Sequence, residues 1–187
     1  MKKEGLSLKR VSFLTGKRKV GLDTNILIKL YEQPGLFDYE EARIFNEKNA
    51  VFIHPISLLE FANHLKKKGA NKEEADAKVK EFTNRHNIST ISYFVHEKEI
   101  NDFEGYSNEK FKQMKMDYLK CHKPDSIILL AFKKCGINKI ISTDEAFRIC
   151  AEFLGINASK LPSLDFAISR ELKKIFDYKK KFKKKRN

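Results

Sequence analysis

Short runs of β-branched and aromatic residues alternate along the chain with longer stretches in which apolar residues recur at helical spacing. The short runs predict strands at 20–22, 50–53, 88–94 and 139–142. The longer stretches predict helices at 26–31, 38–48, 56–68, 72–86, 97–121 with a break near Gly105, 124–135 and 144–154. Strands that alternate with helices are typical of an α/β domain whose mainly parallel sheet is covered on both faces.

The pattern divides the chain into three parts. Residues 1–17 form a basic N-terminal extension, and residues 18–163 carry the alternating strands and helices of the predicted domain. In residues 164–187 apolar positions recur every three or four residues, which predicts an amphipathic helix to about residue 182 with a basic tail. We expect this helix to dock one face on the domain and to leave its lysines in solvent.

The composition is that of one water-soluble domain. The 187 residues are 41% hydrophobic and include 15 Phe, enough for a single core that does not depend on disulfides. No window approaches about 18 uncharged apolar residues, and the N-terminal residues lack the apolar stretch of a secretory signal. Three cysteines form no dense framework, so we expect a reducing, cytoplasmic setting without a membrane partner.

Positive charge is concentrated at the two ends of the chain. The net charge is +13, yet residues 1–20 carry seven Lys or Arg against one Glu, and residues 170–187 carry ten against two acids. The region between them is therefore nearly neutral. Basic ends attract polyanions by releasing counterions, which favours contact with nucleic acid over a purely solubilising role.

The last residues of the chain combine lysines with aromatic rings in a pattern suited to RNA. Tyr178 and Phe182 are available to stack on bases, and the cations around them can bind phosphates without reading sequence. A frayed, solvated helix end has the same composition, so that alternative stays open. The cations expected to contact RNA are Lys179, Lys180, Lys181, Lys183, Lys184, Lys185 and Arg186.

Four acidic residues occupy positions where an α/β sheet commonly builds a site. Asp23 and Asp144 directly follow predicted strands. Asp125 lies in the first turn of the apolar helix, and Glu60 lies on the helix after the second strand. Each has an ordinary alternative role, as a helix cap, a first-turn acid or, for Glu60, a partner of His64 four residues later. If the carboxyl ends of the strands converge, the four carboxylates share one notch.

Such a cluster of carboxylates is unstable without a cation. Two unit charges about 5 Å apart repel by roughly 3 kcal/mol at an effective dielectric constant of ~20. The group must therefore take up protons or bind a metal ion. Oxygen ligands suit Mg²⁺ or Mn²⁺, and Mg²⁺ characteristically bridges carboxylates to phosphate oxygens. A basic protein with an acidic, metal-binding notch is a candidate phosphodiester hydrolase.

Four segments around these acids resemble the PIN-domain family of nucleases. The segments are GLDTNIL at 21–27, PISLLEF at 55–61, HKPDSII at 122–128 and IISTDEAF at 140–147. They occur in the family's order, each on the expected element, and the resemblance covers about residues 18–155.

The resemblance implies a three-layer α/β/α sandwich around a mainly parallel sheet, and hydrolysis of single-stranded RNA that leaves 5′-phosphate and 3′-hydroxyl ends. It implies that one or two Mg²⁺ or Mn²⁺ ions are held by the catalytic residues Asp23, Glu60, Asp125 and Asp144. Asn25 and Ser142 match polar positions that orient the acids. The resemblance also implies a homodimer.

Two features depart from the family's pattern. Many relatives carry another acid at the position of Ala146, where Glu145 is the nearest substitute. The region after Gly155 does not resemble the family's final strand. Neither departure removes one of the four acids, so the catalytic interpretation holds.

The resemblance leaves the cellular role open. The basic ends favour RNA processing or decay, with an RNA-processing partner, whereas a resemblance to VapC-type toxins implies an antitoxin partner. A catalytically weak PIN-like RNA-binding or assembly module is a further alternative, although all four acids are present. A DNA flap nuclease is disfavoured because 187 residues leave little room for additional DNA-binding helices.

Overall fold

The computed structural model describes residues 16–161 with the exception of Pro34, Leu36, Phe37 and Ser92. Most of the predicted N-terminal extension, the helix predicted from 164 to 182 and all cations of the predicted basic tail lie outside the described residues.

Seven helices and five strands alternate along the described part of the chain. The strands are β1 (Arg18–Leu22), β2 (Asn49–Ile53), β3 (Ser89–Thr90), β4 (Lys139–Ile141) and β5 (Asn157–Ser159). The helices are α1 (Thr24–Glu32), α2 (Asp38–Ile44), α3 (Pro55–Lys67), α4 (Lys72–Arg85), α5 (Glu97–Gln113), α6 (Lys123–Lys134) and α7 (Glu145–Phe153). None of these helices is long and apolar enough to cross a membrane.

The five strands form one parallel sheet in the order β3-β2-β1-β4-β5. In the central strand β1, Val20 is in register with Val51 of β2 on one side and with Lys139 of β4 on the other. Because β1 and β4 are parallel neighbours, the residues that follow them lie side by side at one edge of the sheet. The acidic notch was predicted at this edge.

Helices cover both faces of the sheet, each face with its own hydrophobic core. Ile140 and Ile141 are consecutive in β4 yet belong to different cores, because successive side chains of a strand point to opposite faces. One core packs α1–α4 against the sheet, and the other packs α5–α7. The predicted α/β/α sandwich with a parallel sheet is therefore confirmed.

The third strand is much shorter than the predicted strand at 88–94. Only residues 89–90 pair with β2, because β2 ends at Ile53. Beyond this ladder Tyr93 and Phe94 are exposed to solvent. The predicted length was wrong because no neighbouring strand remains to pair with these β-branched and aromatic residues.

The helix α5 runs without interruption through Gly105, where the sequence predicted a break, and it ends at Gln113 rather than near 121. A Cβ added at Gly105 would meet no atom within 4 Å. The buried side chains of Phe103, Ser107 and Phe111 keep helical spacing on both sides of it. Burial of this face outweighs the cost of a helical glycine, about 1 kcal/mol, so the predicted break was wrong.

The chain after Gly155 forms a strand that its composition did not predict. The strand β5 pairs in parallel with β4, and Ala158 lies opposite Ile140. The residues Asn157, Ala158 and Ser159 lack the β-branched pattern by which a strand is recognised. Pairing with β4, not intrinsic propensity, therefore determines this strand.

Candidate active site

Asp23 lies at the carboxyl end of the central strand β1, where it is 7% exposed. Its carboxylate accepts hydrogen bonds of 2.5 Å from the Ser142 hydroxyl and of 2.5 Å from the Asn25 side-chain amide. It occupies the N-cap position of α1 but makes no side-chain cap hydrogen bond. The alternative role of Asp23 as a helix cap is therefore not observed, since Ser142 and Asn25 engage its side chain.

Asn25 and Ser142 connect the residues at the ends of β1 and β4. The Asn25 side chain donates to Asp23, and its carbonyl oxygen accepts the Thr143 N–H at 3.2 Å. The Ser142 hydroxyl accepts the Asp144 N–H at 2.9 Å while it donates to Asp23. The two side chains thus lie beside the acids and restrict the directions in which those carboxylates can point.

Asp144 is exposed at the start of α7. One oxygen of its carboxylate accepts the Phe147 N–H at 2.8 Å and so caps the helix. The other carboxylate oxygen makes no hydrogen bond within the described residues. The cap role that the sequence left open for Asp144 is therefore present, and it leaves one oxygen available to a ligand.

Glu60 is exposed on α3 and faces the residues that follow β1. The Thr24 hydroxyl, in the first turn of α1, donates a hydrogen bond to the Glu60 carboxylate. His64 pairs with Glu32 at 2.7 Å, so the predicted alternative of a Glu60–His64 pair is wrong. The sequence analysis did not single out Thr24 as a site residue. The signal available for it was its position directly after Asp23.

Asp125 lies in the first turn of α6, the helix that the sequence predicted to be buried. The next residue, Ser126, is fully buried, and its hydroxyl donates to Glu104 of α5 at 2.6 Å. This hydrogen bond holds the first turn of α6 against α5. The partial positive charge of the helix N-terminus favours the ionised form of a carboxylate at this position.

The four acids line one open cavity of about 450 Å³, although they come from four separate regions of the chain. Its other walls are formed by Thr24, Asn25, Ile28, Asn63, His64 and Lys67. The structure thus brings together the acids that the sequence singled out. These four acids are Asp23, Glu60, Asp125 and Asp144.

Burial and mutual repulsion make this cavity unfavourable for bare carboxylates. The pKa of Asp23 is raised to about 6, chiefly by burial and to a lesser extent by the charges of Asp144 and Glu60. The hydrogen bond from Ser142 opposes this rise in the pKa of Asp23. The pKa of Asp125 is raised to about 7, chiefly by burial and then by the charge of Asp23. A cation in the cavity would stabilise both ionised forms.

The donor atoms of the cavity suit a hard divalent cation, because carboxylate oxygens are the ligands that Mg²⁺ and Mn²⁺ prefer. Among residues 16–161 as described, no three His, Cys, Asp or Glu side chains are close enough together to hold an ion as they stand. Asp23, Glu60 and Asp144 each use a carboxylate oxygen in a hydrogen bond within the protein. The chemistry therefore fits a cation, whose own charge would have to draw the carboxylates together.

A second cavity of about 320 Å³ adjoins the first and shares Asp125 and Asp144 with it. Its walls also include Tyr118, Lys120, His122 and Glu145. Glu145 thus shares a cavity with two of the acids, although Ala146 occupies the position of the family's additional acid. Tyr118 is highly exposed, and the sequence carried no signal that would have placed it here.

Comparisons with known proteins agree with this arrangement. A family model described as PIN domain matches residues 20–152. The structure of VapBC2 from Rickettsia felis bound to a DNA fragment from its promoter has a TM-score of 0.54 and 16% identity, over 76% of this chain and 98% of that one. The structure of VapBC-1 from nontypeable Haemophilus influenzae has a TM-score of 0.52 and 15% identity, over 76% of this chain and 97% of that one. None of the curated proteins matches the chain. At these identities, the likeness to solved structures shows the fold alone.

Proposed function

The chain belongs to the PIN-domain family, whose members are generally nucleases that use divalent metal ions, and from this premise we propose that it is an endoribonuclease. It requires Mg²⁺ or Mn²⁺ and hydrolyses phosphodiester bonds of single-stranded RNA. The observation that carries the proposal is the convergence of four carboxylates on one open cavity at the carboxyl edge of the sheet. A phosphate cannot approach these carboxylates unless a cation neutralises them.

The four acids hold the cations in this proposal. One or two divalent cations would supply a nucleophile from water and neutralise the charge that develops on the phosphate. Asn25 and Ser142 position the Asp23 carboxylate, and Thr24 positions that of Glu60. Precise positioning matters because the loss of a hydrogen-bond partner of a metal ligand typically lowers metal affinity about 10- to 100-fold.

The RNA strand is held by phosphate contacts in and beside the acidic cavity, which is the cavity lined by the four acids. Lys67 lies on its wall, and Lys120 lies on the wall of the adjoining cavity. The seven cations predicted to bind RNA at 179–186 would add sequence-independent affinity. An open cavity with one lysine on its wall and another on the wall of the adjoining cavity suits a flexible single strand.

The test is cleavage of end-labelled single-stranded RNA in Mn²⁺, Mg²⁺ or EDTA by the native chain and by Asp23→Asn. The matched control is Asp76→Asn, an exposed acid on α4 that lines neither cavity. We expect metal-dependent cleavage that Asp23→Asn loses and Asp76→Asn keeps. Products should carry 5′-phosphate and 3′-hydroxyl ends.

Of two other outcomes, the first contradicts the proposal and the second requires a repeat with cleaner protein. RNA binding without cleavage in either metal assigns the chain to the catalytically weak binding or assembly class. Cleavage that persists in EDTA and in Asp23→Asn comes from a contaminating ribonuclease, and the chain itself then has no demonstrated activity.

A second candidate role is that of the toxin ribonuclease in a VapC-type toxin–antitoxin pair, with an antitoxin as its partner. The likeness in fold to VapBC2 and VapBC-1 favours it. Growth arrest on induction of the native chain, absent with Asp23→Asn and reversed by co-expression of a small neighbouring gene, would support this role. Unimpaired growth would favour RNA processing or decay.

A further inference from the structure

A third cavity, of about 400 Å³, lies beyond the carboxyl ends of β2 and β3 and is named here the aromatic cavity. Its walls include His54, Tyr93, Phe94, Val95, Lys123 and Ile127. Val95 is buried and anchors the segment, while Phe94 beside it is 78% exposed. The exposed ring therefore belongs to an anchored stretch of backbone.

The aromatic cavity and the cavity lined by the four acids both take residues from the start of α6, from different faces of the helix. Lys123 and Ile127 line the aromatic cavity, and Asp125 between them lines the acidic one. A strand that passes around the N-terminus of α6 can therefore place a phosphate at Asp125 and another of its nucleotides at the aromatic cavity.

His54 provides a hydrogen-bond donor in this cavity. It is 6% exposed and precedes α3, where its Nδ1 accepts the Ile56 N–H at 3.2 Å. Since Nδ1 is an acceptor, the ring proton lies on Nε2. Within the described residues Nε2 has no hydrogen-bond partner, and it is not among the polar atoms sealed from solvent. Burial also lowers the pKa of His54, which favours this neutral ring.

The combination of exposed aromatic rings with one unpaired donor distinguishes between possible occupants. An aliphatic side chain of a protein partner would cover Phe94 but leave the His54 Nε2–H unpaired in a site closed to water. A nucleobase has a flat face that stacks on an aromatic ring and acceptor atoms on its edge. A base therefore satisfies both features of the cavity.

We propose that the aromatic cavity binds one unpaired base of the RNA strand whose phosphate lies at the four acids, with the base stacked on Phe94 and hydrogen-bonded by His54 Nε2–H. This inference rests on the proposed function, because it takes RNA as the substrate. It adds a base-binding subsite that positions the strand for cleavage.

The experiment measures the affinity of 5′-labelled single-stranded RNA for the full chain by fluorescence anisotropy with Ca²⁺ in place of Mg²⁺. Phe94→Ala should weaken binding about tenfold, the typical loss when one stacking contact is removed. An RNA with a single abasic nucleotide should lose a similar factor in affinity, but only when the missing base is at one position of the strand. Combined with Phe94→Ala, that abasic RNA should show no further loss. The matched control is Tyr106→Ala, a half-exposed aromatic residue of α5 that packs on Phe153 and lines none of the three cavities.

His54→Asn tests the hydrogen bond separately. Its side-chain oxygen can still accept the Ile56 N–H, so α3 keeps its cap, but the Nε2–H donor is lost. We expect affinity to fall about fivefold for intact RNA and not at all for the abasic RNA, in keeping with one lost hydrogen bond to a base.

The outcomes separate this inference from the nuclease proposal. If the effects of Phe94→Ala and of one abasic position are coupled, but the native chain binds RNA without cleaving it, the result supports the subsite and contradicts the nuclease proposal. Normal cleavage with no change of affinity in Phe94→Ala and His54→Asn overturns the subsite alone. Phe94→Ala could instead lose self-association or antitoxin binding while its RNA affinity stays unchanged. That result assigns the aromatic cavity to a protein partner and also overturns the proposed base-binding subsite.

Discussion

Ser142 and Asp23 are joined by a hydrogen bond of 2.5 Å from the Ser142 hydroxyl to the Asp23 carboxylate, although 119 positions separate them in the chain. The same hydroxyl accepts the Asp144 N–H at 2.9 Å. One buried oxygen atom therefore links two acids of the candidate site across the neighbouring strands β1 and β4.

Replacement of Ser142 by Ala should weaken divalent-ion binding about 10- to 100-fold, the range for lost partners of metal ligands. It should also lower the free energy of unfolding by about 1–3 kcal/mol, because the Asp144 N–H and the buried Asp23 lose a partner. Calorimetric titration with Mn²⁺ and denaturant unfolding measure the two effects.

The control for Ser142→Ala is Ser107→Ala. Ser107 is also fully buried, but its hydroxyl has no partner among the described residues. Its removal should leave Mn²⁺ affinity unchanged. Equal Mn²⁺ affinity in Ser142→Ala and the native chain would show that this hydroxyl does not position the site.

The stability of the ion-free protein should depend on pH through buried Asp23 and partly buried Asp125. Their pKa values are raised from 3.8 to about 6 for Asp23 and about 7 for Asp125. A raised carboxyl pKa means that the folded state binds more protons, so the free energy of unfolding falls as pH rises from about 4 to 7. For Asp23 the loss is on the order of 3 kcal/mol. Adding Mn²⁺ at pH 7 should restore stability in a concentration-dependent way.

Asp125→Asn isolates this effect from other titrations. Burial lowers the pKa values of His54 and His86. Their contribution to the free energy of unfolding therefore falls as pH falls, which is opposite to the effect of the two acids. The informative quantity is therefore the difference in unfolding free energy between the native chain and Asp125→Asn in EDTA. That difference should shift in favour of the variant as pH rises, and a constant difference would contradict the raised pKa of Asp125.

The parts of this fold that could be predicted from the sequence are those with a strong local pattern of apolar or capping residues. The strand before Asp23 is a buried apolar run, and α4 begins with a capping box of Asn71 and Glu74. Tertiary pairing decides where such patterns fail. The run at 88–94 loses its partner when β2 ends, and Asn157–Ser159 forms a strand because β4 lies beside it.

The candidate site divides in the same way. Asp23, Glu60, Asp125 and Asp144 were predicted from the sequence as site residues, and the structure places all four on one cavity. The hydrogen bond from Thr24 to Glu60 was not anticipated, because it depends on the packing of α1 against α3. The exposure of Phe94 was likewise hidden, since an aromatic residue in a β-like run is ordinarily buried.

Deletion of residues 179–187 should flatten the salt dependence of RNA binding. The deletion removes seven cations. If all of them contact phosphates, the slope of log K against log salt becomes shallower by up to ~5 for single-stranded RNA. A chain of the same length with Gln at the seven positions controls for length. An unchanged slope in both variants would show that the tail takes no part in RNA binding.

The contact between Gly21 and Phe132 should make the centre of β1 intolerant of any side chain. A Cβ at Gly21 would lie 2.7 Å from the fully buried Phe132 ring, so the ring or the strand would have to shift. Gly21→Ala should therefore lower the free energy of unfolding by about 1–3 kcal/mol, as overpacking does. The comparison is Gly105→Ala, whose Cβ meets open space within α5 and should raise stability by about 0.5–1 kcal/mol. Denaturant unfolding measures both, and a Gly21→Ala variant as stable as the native chain would contradict the close packing of α6 on β1.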